Sequence, residues 1–331
     1  MIKKLICAAC IAATIGCGGG KNTQTDAADT DSVTNIPAFN ADSAYAYIEA
    51  QCNFGARVPG TEAHRLCGDY LVEWFKEQGL SVQEQTGVTT TCDGKRMNIR
   101  NIIASLEPER PERILICAHW DCRPWADSDP DPENHRKPVM GANDGASGVA
   151  VMMESARQIK AQRPEVGIDF ICFDLEDYGT PYWIEMDEQA EMMSWCLGSQ
   201  RWAAQPHRPN YRPRFGILLD MVGGQGARFY QEGFSLRYAR GVVNQVWAAA
   251  ERAGYGDYFK KENGGYATDD HLPVNQLAQI PTIDIIPYYP DFPDSSFGPT
   301  WHTVNDTPQN IDRATLKAVG QTLLQVIYET K

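Results

Sequence analysis

Five hydrophobic runs of this chain each lead into an acidic or histidine side chain where a loop begins. The runs are residues 114–121, 141–145, 169–177, 215–220 and 299–303, and they present His119, Asp121, Asp144, Glu176, Asp177, Asp220 and His302. Parallel α/β sheets bind their ligands beyond the carboxyl ends of the strands. Carboxylate and imidazole groups are ligands that suit zinc. The shared position of these side chains therefore predicts a zinc site at the edge of an α/β sheet.

Each of these residues, taken alone, has a structural explanation. A single Asp after a strand is usually a turn or helix cap, and a single His is usually a hydrogen-bonded structural residue. Capping does not explain why the whole set falls at strand ends, so the functional interpretation is favoured for the set. Because Glu176 and Asp177 are adjacent, an extended backbone directs them differently. This indicates that one binds the metal and the other acts as acid or base.

Strands and helices alternate along most of the chain. Helical spacing covers 41–52, 61–78, 146–161, 240–253 and 313–329, and strand-like runs cover 113–118, 167–173, 215–219 and 282–286. This order predicts an α/β fold, namely one domain with a mixed, mostly parallel central sheet flanked by helices. Asp93-Gly94 separates two extended segments, which adds an antiparallel hairpin at the edge.

The N-terminal segment has the features of an export signal. Lys3 and Lys4 precede an apolar run over 5–15 that is too short to span a bilayer, and Cys17 follows it. This resembles a bacterial lipoprotein signal peptide, with Cys17 as the acylated residue; ordinary secretion is the alternative. The body is then exported to the periplasm and touches a membrane only through its lipid anchor. The predicted boundaries are 1–16 for the signal peptide, 17–35 for a flexible tether, and 36–331 for the catalytic domain.

Charge and cysteine content narrow the function classes. The net charge of −13 argues against nucleic acid, whose phosphates would be repelled. Beyond Cys17 the chain holds seven cysteines without the Cys-x-x-Cys spacing of zinc sites. Cys117 and Cys172 lie in predicted buried strands, where a free thiol packs as a small apolar residue. The chain is therefore not a cysteine scaffold, and carboxylate chemistry is favoured. Separately, we expect the enzyme to be a monomer.

Six motifs in order make the chain resemble the animal-type glutaminyl cyclases and their bacterial relatives, within the zinc aminopeptidase-like superfamily. They are His119-Trp-Asp121, Gly-Ala-Asn-Asp144, Asp-Leu-Glu176-Asp177, Leu-Leu-Asp220, Asp269-Asp270-His271 and Trp301-His302-Thr. The resemblance spans the chain from about residue 41 onward. It implies a zinc aminopeptidase-like fold and a glutaminyl-peptide cyclotransferase, which converts N-terminal glutamine of peptides and proteins to pyroglutamate and releases ammonia.

The resemblance also assigns roles to individual residues. One zinc per chain would be held by Asp144, Asp177 and His302, and would polarise the γ-carboxamide. Glu176 would shuttle the proton, with Asp269 and Asp220 in the same catalytic network. Trp183 and Trp301 would form the walls of the substrate pocket. Two choices stay open: Asp270 in place of Asp269, and Tyr182 in place of Trp183.

Two other functions compete with the cyclase. His119, Asp121 and Asp220 are what a second zinc would need, so a dinuclear zinc aminopeptidase with Glu176 as base is the alternative enzyme. A lipid-anchored binding protein with a degenerate site is the third hypothesis, which the intact set of ligands disfavours.

Overall fold

A computed structural model of the chain describes residues 35–331, whose contacts group them into one unit. The predicted signal peptide, Cys17 and all of the tether except Asn35 lie outside these residues. No helix within 35–331 combines the length and the apolar composition needed to cross a membrane.

Six strands form the central sheet. The strands of the chain are β1 (Ser81–Thr90), β2 (Arg96–Leu106), β3 (Arg113–His119), β4 (Gly167–Phe173), β5 (Gly216–Leu219), β6 (Phe229–Gln231), β7 (Phe259–Asn263) and β8 (Thr282–Ile285). The sheet has the order β1-β2-β4-β3-β5-β8, and β6 and β7 form a separate parallel pair. Neighbours from β4 to β8 are parallel, whereas β2 is antiparallel to both β1 and β4. The predicted mostly parallel sheet with a hairpin edge is confirmed.

Helices cover both faces of this sheet. They are α1 (Ala41–Cys52), α2 (Glu62–Glu77), α3 (Ala146–Ala161), α4 (Glu188–Met193), α5 (Leu197–Ala204), α6 (Gly233–Arg252), α7 (His271–Gln276) and α8 (Arg313–Glu329). Successive side chains of a strand point to opposite faces. Ile116 of β3 accordingly packs in the large core with α1, α3, α6 and α8, while Leu115 packs with Trp202 of α5 and Val274 of α7. Burial on both faces explains why the central strands read as continuous apolar runs.

Element boundaries follow local capping. Thr61 accepts a hydrogen bond from the backbone N–H of His64 at the start of α2, and Gly79 follows its end with a φ of 82°. Helix α6 begins earlier than its predicted start at residue 240, because the Glu232 carboxylate caps the N–H groups of Phe234 and Ser235. The short elements α4, α5, α7, β6 and β7 were not predicted, since each is too short to show a hydrophobic period.

Candidate active site

The carboxyl ends of β3, β4 and β5 bring the predicted residues to one edge of the sheet. His119 is the last residue of β3, Asp220 directly follows β5, and Glu176 and Asp177 lie in the loop after β4. Chain order reverses at β3, because β4 lies on one side of it and β5 on the other. Ligands of open α/β sheets bind at such a reversal.

Asp144, Asp177 and His302 form one buried cluster. The Nε2 atom of His302 lies 3.1 Å from Oδ1 of Asp177 and 3.8 Å from Oδ2 of Asp144. One ligand atom from each residue lies within 4.8 Å of the others. The structure therefore brings the three predicted ligands together, and their binding of a metal stays a prediction.

Two neighbouring contacts set the position of Asp144. The buried carboxylate of Asp306 accepts hydrogen bonds from the N–H groups of Asn143, at 2.7 Å, and Asp144, at 3.0 Å. Gly145 follows with a φ of 94°, and a Cβ atom there would lie 2.5 Å from the carbonyl oxygen of Asp121. Only glycine fits this turn, which directs the Asp144 carboxylate toward the cluster.

His302 is held by its backbone conformation and by an acidic partner. Its φ of 53° is left-handed, a conformation that non-glycine residues adopt at a cost and often at functional sites. Its Nδ1 atom lies 3.5 Å from Oδ1 of Asp127. Arg123 donates to both carboxylate oxygens of Asp127, at 2.6 and 2.5 Å. This arrangement orients the ring so that Nε2 faces Asp177 and Asp144, as in many metal sites.

The adjacent residues Glu176 and Asp177 diverge, as their adjacency predicts. The carboxylate of Asp121 accepts hydrogen bonds from both of their N–H groups, at 3.1 and 3.2 Å, and Leu175 before them has a φ of 53°. Asp177 joins the cluster with His302, whereas Glu176 groups with Cys196 and Asp269. The loop thus separates a candidate ligand from a candidate base.

Glu176 lies in an environment that favours its protonated form. Burial raises its pKa well above the usual range of a glutamate, and the charges of Asp269 and Asp177 raise it further, against the opposing effect of His119. The thiol of Cys196 donates to its Oε1 at 3.3 Å. A carboxyl group with raised proton affinity is suited to shuttle a proton near neutral pH.

Asp269, not Asp270, lines the cavity at the site. The N–H of Asp270 donates to Oδ1 of Asp269 at 2.5 Å, and the Asp270 side chain is fully buried before α7. Position at the cavity therefore favours Asp269 in the choice that the sequence left open. Its catalytic role stays a prediction.

A second cluster shares Asp144 with the first. The Nε2 atom of His119 lies 2.9 Å from Oδ1 of Asp144 and 3.2 Å from Oδ1 of Asp220. Burial alone would lower the pKa of His119, but the nearby carboxylates of Asp121, Asp144 and Asp220 outweigh it and raise that pKa well above its ordinary value. Burial and the charge of Asp269 raise the pKa of Asp220 to about 8. The imidazole of His119 therefore lies within contact distance of both Asp144 and Asp220.

The site opens into a cavity of about 400 Å³ with aromatic walls. Trp301 stacks on His302 with 3.7 Å between ring centroids, and Trp195 lies nearly parallel to the same imidazole at 6.0 Å. Both tryptophans line the cavity, together with Glu176, Asp220 and Asp269.

The prediction that Trp183 forms the second wall is wrong. Its ring packs edge-on against Trp125, at 6.0 Å, and lies under the guanidinium of Arg136, and it does not line the cavity. Tyr182 also lies outside the cavity, 70% exposed. Helix α4 intervenes in the chain after these residues, so it is Trp195, on the far side of α4, that reaches His302. Spacing from Glu176 alone could not show this.

Sequence reasoning also missed the residues that hold the site in place. Asp127, Cys196 and Asp306 each contact or orient a candidate site residue. Asp306 lies near His302 in sequence, but its carboxylate binds the N–H groups of Asn143 and Asp144, so its position in the sequence did not indicate this contact. Cys196 had no signal in the sequence either, because its contact with Glu176 depends on a left-handed backbone, with a φ of 57°.

The first cluster has the properties of a cation site. Oδ2 of Asp177 is buried and has no hydrogen-bond partner among the described residues. Burial and the charge of Asp144 raise the pKa of Asp177 to about 6. Buried carboxylates without partners are costly unless a cation binds them. Two carboxylates and one imidazole, with a fourth position free, are a donor set of catalytic zinc, so these residues fit zinc.

Comparison with known proteins identifies the family. The sequence pattern of Peptidase family M28 matches residues 101–327. The chain belongs to peptidase family M28. Among solved structures, the glutaminyl cyclase of Bacteroides thetaiotaomicron, bound to N-acetylhistamine, is 51% identical with a TM-score of 0.87, over 90% of this chain and 100% of that one. A Zn-dependent exopeptidase of Parabacteroides distasonis is 52% identical with a TM-score of 0.85, over 89% and 99%.

A more distant relative is the glutaminyl-peptide cyclotransferase of Gloydius blomhoffii, 26% identical over 80% of this chain and 73% of its own length. The resemblance to glutaminyl cyclases and the zinc aminopeptidase-like fold are both confirmed by these comparisons. Together with the donor set, the family also supports zinc as the metal of the site.

Proposed function

We propose that this M28 protein is a zinc-dependent glutaminyl-peptide cyclotransferase that converts N-terminal glutamine of peptides and proteins to pyroglutamate. One observation carries the proposal: Glu176, a buried carboxyl with raised proton affinity, faces a cavity walled by Trp195 and Trp301 beside the Asp144–Asp177–His302 cluster. The names of the Bacteroides and Gloydius relatives support the same activity.

The reaction needs one bond formed, one broken and one proton moved. The α-amine of the glutamine attacks its own γ-carboxamide carbon, and the carbon–nitrogen bond to the leaving amide breaks. Glu176 takes the proton from the amine and delivers it to the departing nitrogen, which leaves as ammonia. Asp269, whose carboxyl lies within 4.8 Å of Glu176, raises the proton affinity of Glu176 by its charge. The indoles enclose the glutamine side chain in a folded conformation, which is a proximity effect.

We further propose that each chain holds one zinc, on Asp144, Asp177 and His302. When bound there, the metal acts as a Lewis acid on the carboxamide oxygen. The first cluster is favoured as the place of this zinc, because Oδ2 of Asp177 is buried without a partner among the described residues, whereas Nε2 of His119 already lies 2.9 and 3.2 Å from carboxylate oxygens of Asp144 and Asp220.

The test is to supply the zinc-loaded protein with glutaminyl peptides and with leucyl and alanyl amides. We expect ammonia from the glutaminyl peptides, a product lighter by one ammonia, and intact leucyl and alanyl amides. The His119–Asp144–Asp220 cluster favours the second candidate, a dinuclear aminopeptidase. Release of free amino acids from several amides, with about two zinc ions per chain and no ammonia, would establish that alternative.

We also propose that Cys17 is acylated, so that a monomeric enzyme is anchored to a bacterial membrane on the periplasmic side. Fractionation of the full chain tests this proposal, because Cys17→Ser should release the protein from membranes or block its processing. A wild-type protein that is freely soluble, with an N-terminus elsewhere, would contradict it. Sedimentation of the released protein tests the monomer.

A further inference from the structure

An apolar groove adjoins the active-site cavity. It has a volume of about 90 Å³ and shares the lining residues Met192, Trp195 and Thr268 with the cavity, so these three side chains border both spaces. Its far side is formed by α7 and by Leu277, which follows that helix, and every residue that lines it is uncharged. An apolar surface thus borders the cavity that holds the catalytic residues.

The groove exposes large apolar side chains to solvent. Met192 is 48% exposed, Met193 is 53% exposed and Leu277 is 54% exposed. Single exposed apolar residues are common, but several together beside a functional cavity mark a binding surface. Elsewhere, Val88 is similarly exposed, at 52%, but lies on β1 and not in the groove.

We propose that this groove binds an apolar side chain at the second or third position of the peptide substrate. The inference rests on the proposed function, in which the glutamine side chain enters the cavity and the peptide leaves through its mouth. Consecutive Cα atoms lie about 3.8 Å apart, so the next residues pass along the wall that the cavity and groove share. The groove has the volume of about three water molecules, which is room for one aliphatic side chain.

Charge at the cavity mouth sharpens this preference. Glu188 and Glu191 of α4 line the cavity and are exposed. An acidic side chain of the peptide would meet these carboxylates, and like charges exclude a competing ligand even where contacts are otherwise adequate. The substrate class is therefore a glutaminyl peptide with an apolar, non-acidic residue close behind the glutamine.

Matched peptides test the inference on the zinc-loaded protein. In a tetrapeptide amide of glutamine followed by serines, one serine at position two or three is replaced by leucine or by glutamate. We expect kcat/KM for the better of the leucine peptides to exceed that of the all-serine peptide about fivefold to tenfold, mainly through a lower KM. The magnitude follows because one methylene in a fully enclosed apolar pocket is worth about tenfold or more. The glutamate peptides should fall below the all-serine peptide.

Variants assign the preference to the groove. Leu277→Ser should reduce the leucine-to-serine ratio toward one, and Met193→Ser, on the exposed side of α4, provides a second variant should the first fail to fold. Val88→Ser is the matched control and should leave the ratio unchanged. A leucine-to-serine ratio near one in the wild type would overturn the inference, as would a high ratio that both groove variants retain. Ammonia release in the same assays would still support the proposed enzyme.

Other outcomes assign the groove differently. Absence of ammonia from every peptide would overturn the proposed function and this inference with it. A dimer that Leu277→Ser converts to monomer would show that a second copy covers the groove, which also overturns the proposal.

Discussion

The two ends of strand β4 carry buried carboxylates in opposite circumstances. Near its beginning, Asp169 accepts hydrogen bonds from Arg113 at 2.5 and 2.6 Å, from Ser105 at 2.6 Å and from Tyr211 at 2.7 Å. Burial would raise the pKa of Asp169, but Arg113 outweighs it and the pKa is lowered. Beyond the other end, burial raises the pKa of both Glu176 and Asp177. Side chains of the protein thus compensate the charge of Asp169, whereas Glu176 and Asp177 are available to a ligand.

This contrast distinguishes a buried carboxylate with a structural role from buried carboxylates at the candidate active site. A buried charge is tolerated when a partner and hydrogen bonds compensate for its lost hydration. Asp169 meets that condition within the chain, so its contribution is to stability. Asp177 retains an oxygen without a partner, which is costly in the free protein and becomes favourable once a cation binds. The following predictions test the contrast, beginning with the largest effect.

Removing a predicted metal ligand from the Asp144–Asp177–His302 cluster, which contains Asp177 from the functional end of β4, should have the greatest consequence. We expect His302→Ala to lose zinc and to lower kcat/KM by roughly a thousandfold or more, since metal stabilisation is worth several kcal/mol. Metal analysis and ammonia release are the measurements. His135→Ala, in a loop outside the cluster, should keep both. A zinc-replete and active His302→Ala protein would place the metal elsewhere.

Glu176→Gln should separate proton transfer from metal binding. The substitution keeps the size of the side chain, so we expect turnover to fall by roughly a hundredfold or more with zinc retained. Asp177→Asn, at the neighbouring residue, should lose both activity and zinc. If the two results are exchanged, the assignments of the adjacent pair are reversed.

At the structural end of β4, Asp169→Asn should reduce stability without affecting zinc. The substitution leaves Arg113 buried without its charged partner, and we expect unfolding in urea to show a loss of about 3–5 kcal/mol. The exposed Asp291→Asn should change the free energy of unfolding by less than about 0.5 kcal/mol. Loss of zinc in a folded Asp169→Asn protein would contradict the separation of the two ends.

The two ends should also respond to pH with opposite sign. Asp169 has a lowered pKa, so its stabilisation is lost as pH falls below the unfolded value. In zinc-free protein the pKa of Asp177 is raised to about 6 and that of Asp220 to about 8. At these two groups the folded state binds more protons than the unfolded state, so their contribution to the free energy of unfolding falls as pH rises from about 4 to about 8.

Thermal unfolding at several pH values, with and without zinc, measures this difference. Zinc should remove much of the loss at high pH because the metal binds the deprotonated carboxylates. A zinc-free protein whose stability does not decline across this range would show that the carboxylates are compensated by other means.

The smallest effect concerns the thiol beside the base. Cys196→Ala removes the hydrogen bond to Glu176, and we expect kcat to fall about threefold to tenfold, the value of one such bond. Cys196→Ser should restore part of the loss, because its hydroxyl donates in the same direction. An equal loss in both variants would indicate that Cys196 contributes only packing.

Much of this molecule could be predicted from local sequence. The strands β3, β4 and β5 are apolar runs, and the acidic or histidine residues at their ends marked the site because parallel strands end at one edge. Adjacency alone indicated that Glu176 and Asp177 diverge, which the structure confirms. Trp183 was misplaced because the course of the chain between 178 and 195, including α4, has no clear period.

The order of residue types along the chain determined the fold class, the sheet edge that carries the chemistry and the carboxylate and imidazole groups available there, because these follow from periodicity over a few residues. Tertiary structure alone decided that Trp195 faces His302, that Asp269 rather than Asp270 lines the cavity, and that Cys196 reaches Glu176. These contacts join segments that are distant in sequence, or depend on single left-handed residues. Such geometry arises only when the helices and loops pack on the sheet, so no local pattern could encode it.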